Sequence, residues 1–395
     1  MSIWKSRVVR AAGLCILFLA IFLFLSPPVS AAEAPAEDNS DYQQQVDELL
    51  RESGADSLLS ELPEDGRKLL SDNGIDSVDQ AALMNLSFTD FLKSVWEGMK
   101  SSVSQPLAIF INAIGIILLC ALLHSMEVSF EHRSFERVFS TVSVLCLSAV
   151  IIAPIASLII SSARLIRQMS DFMAGFVPVY VGIVTASGKP VSAMTYNACL
   201  LGVGQVVSRV ASTVLVPLLA IYLALCLTGS ASREINMEGI SKTVKNVVIT
   251  VLGLLMTVFV GLLSVQGVVA ASADTVTLKT AKFAVSTFVP VVGGAIGEAL
   301  NSVQGCVGVV RSTVGGFGIV AVAVAFLPTI LSILLMQLSL AAAGGVSDTL
   351  GTDRLSALTR SASSVLSLLL GILLVFAILF IVSISVMLAL SSGSA

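Results

Sequence analysis

Charge is scarce in this sequence. Only 12% of its 395 residues are charged, against roughly 25% in an ordinary soluble domain. The six cysteines, at positions 15, 120, 146, 199, 226 and 306, form no C-x-x-C pair. They sit in or beside apolar segments, where cysteine behaves as a small hydrophobe, so neither a disulfide framework nor a zinc site is expected. Walker A, G-x-S-x-G, H-E-x-x-H and Rossmann glycine patterns are missing too. Each would have supplied a phosphate cradle, a nucleophile, a metal or a dinucleotide site. His124, Glu127 and Glu131 share one helix face, but polar residues are ordinary where a helix leaves a membrane. The expectation is a protein that is not an enzyme and has no cofactor and no metal.

What is present is apolar. Hydrophobic residues make up 55% of the chain, and runs of eighteen or more recur from Leu107 to the C-terminus. A run of that length crosses a hydrocarbon core about 30 Å thick. The fold class expected is therefore all-α, a polytopic helical membrane protein.

The N-terminus is different. Lys5, Arg7 and Arg10 precede an apolar stretch from Ala11 to Leu25. Small residues follow at Ser26-Pro-Pro-Val-Ser-Ala-Ala32, which reads as a signal peptide over 1–32, with an uncleaved anchor as the alternative. Between Glu33 and Lys100 there are 5 basic and 16 acidic residues, a local charge of 5 − 16 = −11. Such a segment, 33–104, is expected outside the cytoplasm and has no affinity for nucleic acid. Tyr42 to Arg51 and Gly54 to Leu62 carry helical apolar spacing, Pro63-Glu-Asp-Gly66 reads as a turn, and Phe88 to Met99 as an amphipathic interfacial stretch.

Six spanning helices are expected, over 107–124, 138–162, 198–227, 246–266, 317–340 and 365–390. Two shorter apolar stretches, Phe172 to Ala186 and Phe283 to Gly297, reach only about 22 Å as helices and contain Pro and Gly. They match each other: Phe176-Val-Pro-Val179 recurs as Phe288-Val-Pro-Val291, an offset of 288 − 176 = 112. Val216-Pro217 recurs as Leu327-Pro328, an offset of 328 − 217 = 111. Three entry segments, at Glu131, Glu238 and Asp353, each precede a basic residue and a long apolar helix. An internal duplication is expected, with the short stretches as re-entrant segments; the alternative is eight crossings, with both short stretches spanning tilted and the repeats inverted. The implied divisions are 105–137 (first membrane helix and loop), 138–237 (repeat 1), 238–347 (repeat 2) and 348–395 (final helix).

Non-helical backbone at membrane depth survives only where protein buries it or water lines it. Phe176, Pro178 and Gly182, with Phe288, Pro290, Gly293, Gly294 and Gly297, are therefore candidates for a pathway or for close packing, the last three forming part of a G-x-x-x-G pattern. Arg209 lies in an otherwise apolar helix and is expected to face protein or water. Arg167 and Asp171, spaced i, i+4, are a candidate ion pair. Arg311 is a second cation at apparent membrane depth.

The stretch Ala273-Asp-Thr-Val-Thr-Leu-Lys-Thr-Ala-Lys-Phe-Ala-Val-Ser-Thr-Phe-Val-Pro-Val-Val-Gly-Gly-Ala-Ile-Gly-Glu-Ala299, with Gln105-Pro-Leu before the first apolar helix, resembles the stage III sporulation protein AE family of endospore-forming bacteria. The resemblance implies a multi-pass protein of the mother-cell membrane around the forespore. It further implies a subunit of a multiprotein, secretion-like channel that includes a forespore membrane partner across the intermembrane space and supports late forespore gene expression. The family has no established catalytic residues. Two other readings fit the residues alone: a self-sufficient permease with a duplicated core, or a non-conducting membrane scaffold docking partners through 33–104.

Overall fold

The computed structural model describes residues 39–78, 88–127, 133–231, 237–288 and 293–392, and every regular element among them is helical. The signal-peptide expectation for 1–32 lies outside them. Three short helices come first: α1 (Asn39–Glu52), α2 (Leu58–Glu61) and α3 (Glu64–Asp72). The long helices follow as α4 (Phe88–Glu127), α5 (Arg133–Ala186), α6 (Pro190–Val210), α7 (Val216–Ala231), α8 (Glu238–Phe288), α9 (Gly293–Thr349) and α10 (Asp353–Ser392). A π-helical turn, Ala211–Leu215, joins α6 to α7 so that they run on as one rod.

Glycine sets the corners. At Gly74, Gly188 and Gly351 φ is 76°, 85° and 71°, the left-handed region that costs an L side chain roughly 1–2 kcal/mol. In each case the glycine amide bonds back three residues and the next amide bonds back five: Ile75 to Leu70 at 2.9 Å, Lys189 to Val184 at 3.3 Å and Thr352 to Ser347 at 3.1 Å. This paired closure satisfies carbonyls that a helix C-terminus otherwise leaves open. Pro190 then starts α6, where a missing amide hydrogen costs nothing.

α9 and α10 form the central hairpin, and α5 packs against both. α4 covers α9 from one side, while α7 and α8 cover α10 from the other. The central hairpin is enclosed nearly all round: Phe317, Phe326, Phe376 and Ile384 are 0% exposed. Helices α1 to α3 fold around Val46, Leu50, Leu58, Leu70 and Ile75 and lie along α9 and α5.

Among the described residues six stretches are long and apolar enough to cross a membrane. Three far exceed the expected lengths: Thr141–Ala186 has 46 residues, Pro190–Ser230 has 41 and Gly305–Thr349 has 45. The first expected re-entrant segment is replaced by continuous helix, since Phe172 to Ala186 is the last part of α5, a helix of 54 residues and about 80 Å. Pro178 lies inside this helix, on its exposed side, and the helix runs on past it. The second expected segment straddles the end of α8 at Phe288 and the start of α9 at Gly293, with 289–292 outside the described residues. Pro63 to Gly66, read as a turn, is instead the N-cap and first turn of α3, where Glu64 and Asp65 complement the helix dipole. Phe88 to Met99 is the first part of α4 rather than a separate interfacial helix.

Candidate functional site

The first Phe-Val-Pro-Val motif stands where α5 packs on α9 and α10. Phe172, Phe176 and Tyr180 repeat at four-residue spacing and therefore share one face of α5. Their rings form a ladder with centroid separations of 5.7 Å at both steps. Each ring is 0% exposed. The ladder fits because α9 carries glycine opposite it. A methyl group at Gly318 would stand 2.6 Å from the Phe176 ring and 3.1 Å from Ile384 of α10. One at Gly315 would stand 3.3 Å from Tyr180 and 3.1 Å from Leu388. Small residues here bring helix backbones close enough for dispersion contacts to accumulate.

On a neighbouring face of α5 the acidic N-terminal region makes contact. The Glu61 carboxylate lies directly over Gly175, where any side chain would collide with it. Gly66 of α3 sits against Ala325 of α9, so that a methyl added there would stand 3.4 Å from the Ala325 Cα. The Cys306 thiol of α9 points at Gln45 Oε1 at 3.9 Å. Residues 39–78 are thus seated on the same two helices that hold the ladder.

The other sequence candidates divide. Phe176 faces inward, whereas Pro178 and Gly182 face out from the same helix. Gly293, Gly294 and Gly297 lie in the first turns of α9, Phe288 ends α8, and Pro290 lies outside the described residues. Arg209, at the end of α6, is exposed on the outer surface of the bundle rather than turned into the protein. Arg167 and Asp171 stand exposed one turn apart on α5. The ion pairs among the described residues join Lys68 to Glu64 and Arg360 to Asp348, not these two. Arg311 is half-buried in α9. No three His, Cys, Asp or Glu converge as metal ligands among the described residues.

Two polar features escaped the reading of the sequence. Within the apolar bundle Tyr222 of α7 bonds Ser364 of α10 at 3.0 Å. On α9, Gln337 Nε2 donates to Ser367 of α10 at 2.8 Å. The run of serines at 361, 363, 364 and 367 was the available signal. At the α9–α10 corner, Asp348 accepts from Ser356 and from Arg360, the latter at 2.5 Å. Arg354 of α10 reaches Thr141 of α5 at 3.5 Å, tying the start of α5 to this corner.

Comparison with known proteins decides the family. Residues 76–391, from just before α4 to the end of α10, match the family described as stage III sporulation protein AE. The chain belongs to this family. It is also 22% identical over 326 residues to stage III sporulation protein AE of Bacillus subtilis (strain 168), covering 80% of this chain and 82% of that one. No solved structure matches. The matched span takes in the aromatic ladder, Arg209, Gly318 and the serine-lined seam, and begins after α1 to α3. The bundle is thus that of a stage III sporulation protein with six stretches, among the described residues, long and apolar enough to cross a membrane.

Proposed function

We propose that this chain is a membrane subunit of the multiprotein channel that links mother cell and forespore and sustains late forespore gene expression. The observation that carries the reading is the family match across the whole membrane bundle, residues 76–391. Its partners are then other membrane proteins of the complex, including one in the forespore membrane across the intermembrane space. The packed centre supports a subunit over a self-sufficient permease. A permease rocks two halves around a substrate site near mid-membrane, whereas α10 is surrounded and fills that position with side chains such as Leu366, Leu369 and Leu373. The seating of residues 39–78 on the bundle favours a scaffold as the second reading, with that region presenting a surface to partners.

The test is genetic and biochemical together. In an endospore-forming host, deletion of the gene abolishes a fluorescent reporter of late forespore transcription, and the wild-type chain restores it. Crosslinking before solubilisation recovers membrane partners from both sides of the intermembrane space. Normal reporter output after deletion rejects the channel assignment. Solute flux through the purified chain alone in vesicles would return the permease.

A further inference from the structure

The exposed surface of α5 changes character along its length. From Val142 to Ile160 the outward side chains carry no charge and, Ser157 apart, are apolar, among them Val142 at 50%, Leu145 at 57% and Ile160 at 59% exposed. Beyond Ile160 the outward face carries Ser161, Arg164, Arg167, Gln168 and Asp171, and further on Pro178, Gly182, Thr185 and Ala186, with no large apolar side chain fully exposed. The inward face does not change: Leu165, Met169, Phe172, Phe176 and Tyr180 continue the buried stripe. The first part is a helix apolar nearly all round, and the second is the amphipathic helix of a water-soluble bundle.

α8 has the same uncharged band. Its outward residues from Val247 to Val265 carry no charge, with Lys242 exposed just before them. Both bands, on α5 and on α8, measure about 27 Å at 1.5 Å per residue, close to one hydrocarbon thickness. Arg354 joins the start of α5 to the α9–α10 corner, and α8, which packs on α10, follows α7, whose Tyr222 bonds Ser364 a few turns into α10, so both bands stand beside the first half of α10. The other level is equally well tied: Ser170 of α5 bonds the Gly204 carbonyl of α6 at 3.1 Å, and Phe176 meets Gly318 and Ile384. Thr141 to Phe176 spans about 52 Å along α5, so no bilayer holds both levels.

We propose that lipid hydrocarbon touches only the half of the bundle next to the α9–α10 corner. The other half stands in the aqueous compartment as a helical stem, with residues 39–78 seated along it. The occupant of the exposed apolar band is the bilayer, argued from its thickness, its freedom from charge and the cations at its edges. The inference does not rest on the channel reading. It moves the Phe-Val-Pro-Val ladder out of the membrane into the core of the stem, and it places Arg209 at the boundary.

Two measurements test it. In a variant with all six cysteines replaced, single cysteines are introduced at Gln168→Cys, Asp171→Cys, Ala149→Cys, Ala153→Cys and, as side markers, Asp56→Cys and Lys242→Cys. With sealed vesicles and a charged maleimide, positions 168 and 171 label in the same orientation and at the same rate as 56. Position 242 labels only in the opposite orientation, and 149 and 153 label in neither until detergent is added. Because the cysteine-free chain can fail to fold, the native chain is also reconstituted with lipid carrying a photoactivatable diazirine near mid-tail. Adducts then map to 142–160 and 247–265 and are missing from 164–186. Adducts spread along 164–186, or protection of 168 and 171 until detergent, overturn the proposal.

Discussion

Adding one methyl group at Gly318 tests whether the aromatic ladder organises the bundle. In Gly318→Ala the new Cβ stands 2.6 Å from the Phe176 ring. Neither ring nor methyl has room to yield, since Phe176 is 0% exposed. Over-packing of this kind costs about 1–3 kcal/mol, and replacing a mid-helix glycine by alanine returns about 1 kcal/mol. The net expectation is a loss of roughly 0–2 kcal/mol. Gly316 supplies an internal control, because a methyl there meets nothing within 4 Å. Gly316→Ala is therefore expected to stabilise by up to about 1 kcal/mol. The decisive comparison is a double-mutant cycle. Phe176→Ala alone costs about 3–5 kcal/mol through the cavity it leaves, but it also removes the ring that Gly318→Ala strikes. In that background Gly318→Ala changes sign and stabilises. Thermal unfolding of the detergent-solubilised protein, followed by intrinsic fluorescence for all five chains, reads the cycle. If Gly318→Ala behaves like Gly316→Ala, or if its penalty persists without the Phe176 ring, the ladder is not packed as described.

Three further outcomes follow from the same contacts. Gly175→Leu places a side chain where the Glu61 carboxylate lies and loosens residues 39–78. Because that carboxylate ends an exposed, flexible side chain that can swing aside, the cost should stay within about 1 kcal/mol, limited proteolysis should cut that region at most about 5-fold faster, and Glu61→Ala should restore most of the protection. Asp348→Asn removes the charge facing Arg360 at 2.5 Å. With the two side chains 64% and 43% exposed, the loss should stay within about 1 kcal/mol, and a melting difference visible at low salt should shrink at high salt. Tyr222→Phe and Ser364→Ala each break the bond between α7 and α10. Each should cost about 0.6 to 2 kcal/mol, and the double variant should lose little more than either alone when unfolding is titrated with denaturing detergent.

Much of the architecture was legible because hydrocarbon leaves a chain few options. Backbone amides and carbonyls in lipid must find partners within their own segment, so long apolar runs read directly as helices, and six of them stand among the described residues. The extent of the helices was a different matter. Arg164, Arg167 and Asp171 interrupt the apolar run, and a hydropathy argument ends the helix there. The backbone continues because those three side chains lie on one exposed face while Leu165, Met169 and Phe172 stay buried on the other.

The amino-acid sequence alone determined the class of this protein, its acidic N-terminal region and its membrane-crossing stretches. These depend on the composition of local segments and on the energy of moving them out of water. Only the tertiary structure decided which face of each helix is covered and by what: that Phe176 meets Gly318, that Glu61 closes over Gly175, and that Arg209 points outward. Burial belongs to pairs of surfaces far apart in the chain. No local pattern carries the identity of the partner.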